Sequence, residues 1–389
     1  MADTLFFSRD TKVYVAPLNA SGAEVAGAIW EIPVLDGFSF SQATNSSEIT
    51  LNEMEASGGG SRRGRKMFND SYAPAEWSFS TYARPFKTTA GYAEFGADNL
   101  TANDHAVEEA LWAMMVGNAG AGYTVPTASQ VSVWAQGLTQ TAASGSVPKH
   151  LAIDFDDSNT STLGTANIYF VLGKTGETAT TYKVANCCMN EASMDFDIDG
   201  IATIAWSGMG TIITEIDTVP TRTRYEGAAA TDTGNFIRNR LTNLVASSSS
   251  PTAVDPYNLT LTGGSITISN NMTFLTPETL GVVNQPLDHV TGARTVSGSF
   301  TCYLNSASDS SMDLFENIIE GTTTVTNNFD LKFQIGGTAA PRMEMHMAAC
   351  HLEVPSHSID DVISLEVNFH ALGTDIESTD ELTVKYVGA

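Results

Sequence analysis

Hydrophobic and polar positions alternate along much of this chain. Glu76-Trp-Ser-Phe-Ser-Thr-Tyr-Ala83 sends Trp77 and Phe79 one way and Ser78 and Ser80 the other, and a period of two marks a strand with one buried face. Trp30 to Gln42 predicts a strand broken by a turn at Asp36-Gly37, with Phe38 and Phe40 sharing a face. Between these two stretches lie about thirty residues without a core pattern, a length that is uncommon for a plain connection in a compact domain. Further strands are predicted at Lys12–Ala16, Asn167–Leu172 and Tyr182–Cys187. Ser193–Ile198 and Ile201–Trp206 flank Asp199-Gly200, a strong hairpin signal. Helical spacing occurs at 104–116, where Asp104 would cap, Val107, Leu111, Met114 and Met115 share a face, and Gly117 closes.

The second half repeats this order. Ser265-Ile-Thr-Ile-Ser269 answers Gly37-Phe-Ser-Phe-Ser41, and Ser299-Phe-Thr-Cys-Tyr303 answers Ser78-Phe-Ser-Thr-Tyr82. A helix at 308–320, ended by Gly321, takes the place of 104–116, and Ile359–Leu365 answers Ile198–Ile204. The chain therefore divides into a first domain, 1–216, a linker, 217–256, with a short helix at Asn235–Val245, and a second domain, 257–389. Residues 118–165 have no counterpart and read as an insertion with short strands at Gln130–Trp134 and His150–Phe155.

Composition sharpens the class. Hydrophobic residues make up 42% and charged residues 16%, which fits a folded chain rather than a disordered one. The formal net charge is -25, which disfavours ordinary nucleic-acid binding, because affinity for phosphates comes from Lys and Arg. The basic residues are clustered: Arg62, Arg63, Arg65 and Lys66 in the first long loop, and Arg222, Arg224, Arg238 and Arg240 in the linker region. The first cluster reads as a docking arm for an acidic protein surface. Cys187, Cys188, Cys302 and Cys350 lack metal-ligand spacing, and adjacent cysteines in a strand face opposite ways, so buried free thiols are expected. No leader pattern precedes the first strand and no apolar run reaches membrane-spanning length, so synthesis in the cytoplasm is expected.

Candidate chemistry is thin. Asp195-Phe-Asp-Ile-Asp-Gly200 resembles the start of a calcium loop, but Trp206 stands where a bidentate Glu is required. Gly58-Gly-Gly-Ser-Arg-Arg-Gly-Arg-Lys66 lacks the Gly-Lys-Ser/Thr ending of a phosphate loop. His346, Cys350, His351, His357 and His370 have no zinc spacing. No nucleophile, metalloprotease or dinucleotide motif occurs. The expectation is no catalytic residue, no metal and no cofactor.

Two copies of strand, long loop, strand, helix and closing hairpin resemble the tail tube proteins of long-tailed bacteriophages. The resemblance is to the duplicated form in some long non-contractile (siphovirus) tails. It rests on Trp30–Phe40, the loop to Ala73, Trp77–Pro85 and 104–116, with their partners at 259–269, 296–304 and 308–320. It implies a mainly β fold: two tandem β-sandwich or barrel domains, each flanked by one α-helix. It implies a structural virion protein whose homotrimeric, pseudo-hexameric rings stack into a hollow conduit for DNA. DNA would pass without specific binding, and no membrane is involved. Tape measure, tail terminator and tip proteins would be partners, and Arg62, Arg63, Arg65 and Lys66 would join ring to ring. The 118–165 insertion would be a small excursion outside the ring. The alternatives are a secreted or virion-borne β-sandwich carbohydrate-binding protein or enzyme, or another virion part such as capsid or baseplate.

Overall fold

The computed structural model describes residues 6–49, 66–88, 103–118, 122–125, 133–134, 137–142, 149–155, 162–173, 179–225, 233–249, 253–320, 329–359, 361–376 and 378–388. The described residues are mainly β. The chain opens with β1 (Lys12–Pro17), β2 (Trp30–Ile32), β3 (Ser39–Ile49) and β4 (Lys66–Tyr82). β5 (Pro85–Thr88) and β6 (Asn103–Ala106) form a hairpin before α1 (Glu109–Val116). Next come β7 (Tyr123–Thr124), β8 (Val133–Trp134), β9 (Leu138–Thr141) and β10 (His150–Asp154). β11 (Ala166–Leu172), β12 (Thr180–Phe196), β13 (Thr203–Gly210), β14 (Ile213–Ile216) and β15 (Arg224–Tyr225) complete the first half.

The second half holds β16 (Asn243–Ser248), β17 (Leu261–Ser269), β18 (Thr273–Leu275), β19 (Asp288–Val290) and β20 (Thr295–Tyr303). It continues with α2 (Ser311–Glu320), β21 (Phe329–Ile335), β22 (Arg342–Leu352), β23 (Ser356–Ile359), β24 (Ile363–Ala371) and β25 (Thr383–Val387).

One antiparallel strip organises the molecule: β3, β4, β13, β12, β17, β20, β24, then β23 and the end of β22. It crosses from first half to second where β12 pairs with β17, from Glu191↔Ser269 to Phe196↔Gly264. Two long strands leave the strip and enter flanking sheets, as corner strands do in sandwiches. The start of β12 joins β14 on one side and β11, β1 and β2 on the other. The start of β22 joins β21 and β16 on one side and β25, β10 and β9 on the other. The core lies between strip and flanking sheets and runs through both halves. At the crossing Phe196 packs on Phe333 with ring centroids 5.2 Å apart, and Phe333 meets Phe369 at 5.7 Å.

The two halves share register. Ser39 pairs with Ser78 and Ser78 with Ser207; Ser265 pairs with Ser299 and Ser299 with Asn368. The ladder of β11 with β12 slips between Ala166 and Ile168, and that of β21 with β22 slips between Phe329 and Leu331. Thus Ser265 stands where Ser39 stands, two residues beyond the Gly37 match expected from sequence. The match of Ile359–Leu365 to Ile198–Ile204 falls in place: Ile204 pairs with Thr81 as Leu365 pairs with Cys302.

Four expectations are corrected. The long first loop is shorter than predicted, because β3 and β4 extend as an exposed hairpin arm paired out to Ile49↔Lys66. That arm is exposed on both faces, Met67 and Phe68 included, so it carries no one-sided burial signal. The 104–116 helix begins at Glu109; Asn103–Ala106 is a strand. The linker helix at Asn235–Val245 is absent: Asn239–Leu241 is a single 3-10 turn, and Asn243–Ser248 is a strand paired with β21. There Leu244 and Ala246 are buried while their neighbours are less so, a period of two that outweighs helical spacing. Finally, the described parts of 118–165 are built into the subunit. β10 lies between β9 and β25, and Trp134, Leu151, Ile153 and Phe155 are buried in the common core.

Candidate assembly surfaces

A strand buries one face and shows the other, so the strip has an inner and an outer row set. Inward go Trp77, Phe79, Ile204, Trp206, Ala192, Met194, Ile266, Ile268, Phe300, Val367 and Phe369, all buried. Outward the cross-strand rows are mostly hydroxyls: Ser39, Ser78, Ser207, Glu191, Ser269, Thr295 in one, and Ser80, Ala205, Ser193, Thr267, Ser297, His370 in the next. Ser39 and Ser78 share a hydrogen bond at 2.8 Å. Away from the exposed arm, which carries Glu48, Lys66 and Asp70, the outward charges on the strip are the carboxylates Glu76, Glu191, Asp195 and Glu366. A shallow hollow of about 280 Å³ lies on this face beside Ser39, Ser41, Glu76 and Ser207.

The cations lie on the flanking sheets instead. Lys12 and Arg222 bracket Glu31 at 3.1 and 2.9 Å, and Lys385 and Arg342 reach Glu344 at 3.3 and 3.7 Å. Although burial works the other way, these cations hold the Glu344 carboxyl below its ordinary value.

The strip ends in an edge strand on each side. β3 is paired on one side only, with β4, and β23 on one side only, with β24, among the described residues. Around β23 apolar side chains face solvent: Val354 is 67% exposed and Ile359 78%. A second apolar surface lies between β18 and β19, where Leu280 is 99% exposed and Val282 and Leu287 are largely so. This segment touches the first-half arm, with Tyr72 N–H donating to Asn284 O at 2.9 Å.

Of the predicted cationic cluster, Arg62, Arg63 and Arg65 lie outside the described residues. Lys66 opens β4, exposed, with Nζ 5.6 Å from the Phe68 ring centre. The calcium-like run is a hairpin end, Gly200 having φ +121, and Asp199 faces Arg240 at 3.8 Å. The histidines are scattered among partners: His346 to Asp330 at 3.0 Å, His370 to Glu353 at 3.4 Å. All four cysteines are free and buried. Cys187 belongs to the main core and Cys188 to a separate cluster with Met272 and Phe274, the opposite facing expected of neighbours in a strand. Burial pushes the Cys302 thiol up to about 11 and raises those of Cys187, Cys188 and Cys350 further, so none is poised as a nucleophile.

One polar cluster escaped the sequence reading. At the start of α1, Glu108 is fully buried and burial pushes its carboxyl up to about 7, against the opposing pull of Tyr386 and Arg84. Arg84 N–H donates to it at 3.2 Å, and Trp112 Nε1–H donates to the Tyr386 hydroxyl at 2.8 Å. Burial pushes Asp104 up to about 6, while Gly388 N–H donates to it at 2.6 Å. His105 and Glu109 pair at 2.8 Å, both inaccessible. The cluster ties the C-terminal strand to the first-half helix. The signal in the sequence was Asp104, His105, Glu108 and Glu109 inside an otherwise apolar run.

An extended strip that ends in edge strands, a face rich in hydroxyls and carboxylates, and buried, unreactive thiols fit a structural subunit that polymerises. The sequence pattern of the phage tail tube proteins matches residues 110–371, and the chain belongs to that family. It is 30% identical over 380 residues to the tail tube protein pb6 of Escherichia phage T5, covering 96% of this chain and 74% of the relative. The chain is a structural tail tube subunit, a component of the virion tail that assembles with itself into a tube. No described helix is long and apolar enough to cross a membrane.

Proposed function

We propose that this chain is the major subunit of a long tail tube and forms rings of three copies. Each copy supplies two tandem tube domains, so three would fill six ring positions. The observation that carries this reading is the strip, whose halves repeat in register and whose two edges are open. The edge of β3 in one copy would pair with the edge of β23 in the next, as β17 pairs with β12 inside the chain. A closed ring has no unpaired edge, which removes the hazard that open strands carry.

The hydroxyl face of the strip would line the bore. Its carboxylates would repel phosphates, and outside the arm with Lys66 it carries no Lys or Arg for them to bind, so DNA would slide without sticking. Catalysis is no part of this role. Tape measure, terminator and tip proteins would meet the tube along its bore and at its ends. Arg62, Arg63, Arg65 and Lys66 would offset repulsion between acidic rings, each exposed ion pair contributing about 0.2–1 kcal/mol.

Electron microscopy of the purified protein tests the reading: hollow tubes with three-fold rings are expected, and shells, dispersed particles or true six-fold rings of single copies would refute it. Replacing the four basic residues with Ser should shorten tubes and remove their sensitivity to salt. Tubes of unchanged length and salt response would show that the cluster takes no part in stacking.

A further inference from the structure

The two helices are built alike but buried differently. All eight residues of α1 are buried. On α2, Met312 is 47% exposed and Ile319 41%, with Glu316 exposed between them. Spacing of i, i+4 and i+7 puts these three on one stripe. Counting back from Gly117 and Gly321, the glycines that follow the two segments in the sequence, the same stripe of the first helical segment is Glu108, Trp112 and Met115.

Each member of that first stripe is held by the second half of the chain. Glu108 accepts from the Tyr386 hydroxyl, Trp112 Nε1–H donates to the same hydroxyl, and Asn270 Nδ2–H donates to the Met115 carbonyl at 3.1 Å. The internal junction thus has two parts: the pairing of β12 with β17, and the covering of the helix stripe beside it. At the far end of the strip the same two parts lie open together. The Phe315 ring of α2 stands edge-on to His357 of β23 at 5.1 Å, which places the exposed stripe next to β23 at the end of the strip.

We infer that the Met312, Glu316 and Ile319 stripe of α2, together with the edge of β23, is the docking surface for the first half of a second copy of this chain. That copy sits on α2 as the second half sits on α1. The occupant is a second copy because the surface continues the open edge and repeats a contact the chain already makes with itself. The inference rests on the tube reading above and adds to it the helix face that each junction covers.

The test compares Met312 in dispersed subunits and in tubes. Dilute hydrogen peroxide oxidises an accessible methionine thioether to its sulfoxide, and mass spectrometry gives the rate. The rate at Met312 should fall at least tenfold in tubes; an unchanged rate overturns the inference. Ile319→Glu should leave the subunit folded by circular dichroism and cut tube yield at least tenfold, because assembly would bury a second carboxylate beside Glu316. Full tube yield from that variant overturns the inference while leaving the tube reading intact. Failure of the wild-type chain to form any tube would remove both.

Discussion

At single positions the two halves solve one packing problem in opposite ways. In the first, Trp77 on β4 lies across from Gly208 on β13; in the second, Gly298 on β20 lies across from Phe369 on β24. One cell of the core takes one aromatic ring, and its cross-strand neighbour must give up its side chain. A Cβ on Gly208 would come within 2.1 Å of Cys188 O and 2.5 Å of the Trp77 ring, and one on Gly298 within 2.0 Å of Ser265 O. Gly208→Ala and Gly298→Ala should each destabilise the subunit by roughly 1–3 kcal/mol, the usual cost of overpacking, as urea titration would show. Glu108 gives a second residue-scale expectation. Its folded value, about 7, lies above the ordinary 4.5, so the folded state holds the proton more tightly. The stabilising contribution is complete below about pH 4.5 and is lost as pH rises through about 7, amounting to roughly 3 kcal/mol at 1.36 kcal/mol per unit. Asp104 acts in the same direction. Melting of dispersed Glu108→Gln subunits from pH 4.5 to 8 should show a flatter dependence than wild type; an equal slope would place the proton elsewhere.

At the scale of elements, what could be read from the sequence was what alternates. β4, β13, β20 and β24 each bury one face, and their aromatic and β-branched positions announced them. The repeat was legible for the same reason, since Ser299–Tyr303 and Ser78–Tyr82 occupy one place in two ladders. Elements without a one-sided burial pattern were missed. The arm of β3 and β4 is exposed on both faces, while β10 is buried on both, leaving no polar row to mark its period. Asn243–Ser248 was obscured because Ile237, Leu241 and Leu244 happen to fall at helical spacing. The open edges and the buried knot at Glu108 depend on which strands meet, which no local pattern encodes. The insertion tests this account. With β10 paired to β25 and Trp134 donating to the Leu18 carbonyl at 3.1 Å, deletion of 118–165 should uncover α1 and leave the subunit unable to fold cooperatively. A native circular dichroism spectrum and unchanged melting in the deletion variant would restore the excursion.

For the whole molecule, the sorting of charge matters more than its sum. For the proposed bore, a net charge of -25 says less than the placement of Lys12, Arg222, Arg342 and Lys385 on the flanking sheets and of hydroxyls on the strip. Introducing lysines along one row, as Ser80→Lys with Ser193→Lys and Thr267→Lys, should leave tubes intact and slow DNA release from assembled particles. Higher salt should restore the rate, because phosphate contacts weaken with counterion concentration. Release at the wild-type rate in low salt would mean that another surface lines the bore.

The crossing of β12 to β17 has a kinetic consequence. In the proposed three-copy ring, joining two halves through one chain would turn half of the junctions into intramolecular contacts, which form at an effective concentration near millimolar for short tethers. A ring of three such chains then needs only three molecules to meet. Before any ring has formed, its rate of appearance would rise with about the third power of free subunit concentration, where six unlinked halves would demand a far steeper law. In that ring, linking the halves would let tubes start in a cell while the subunit is still scarce.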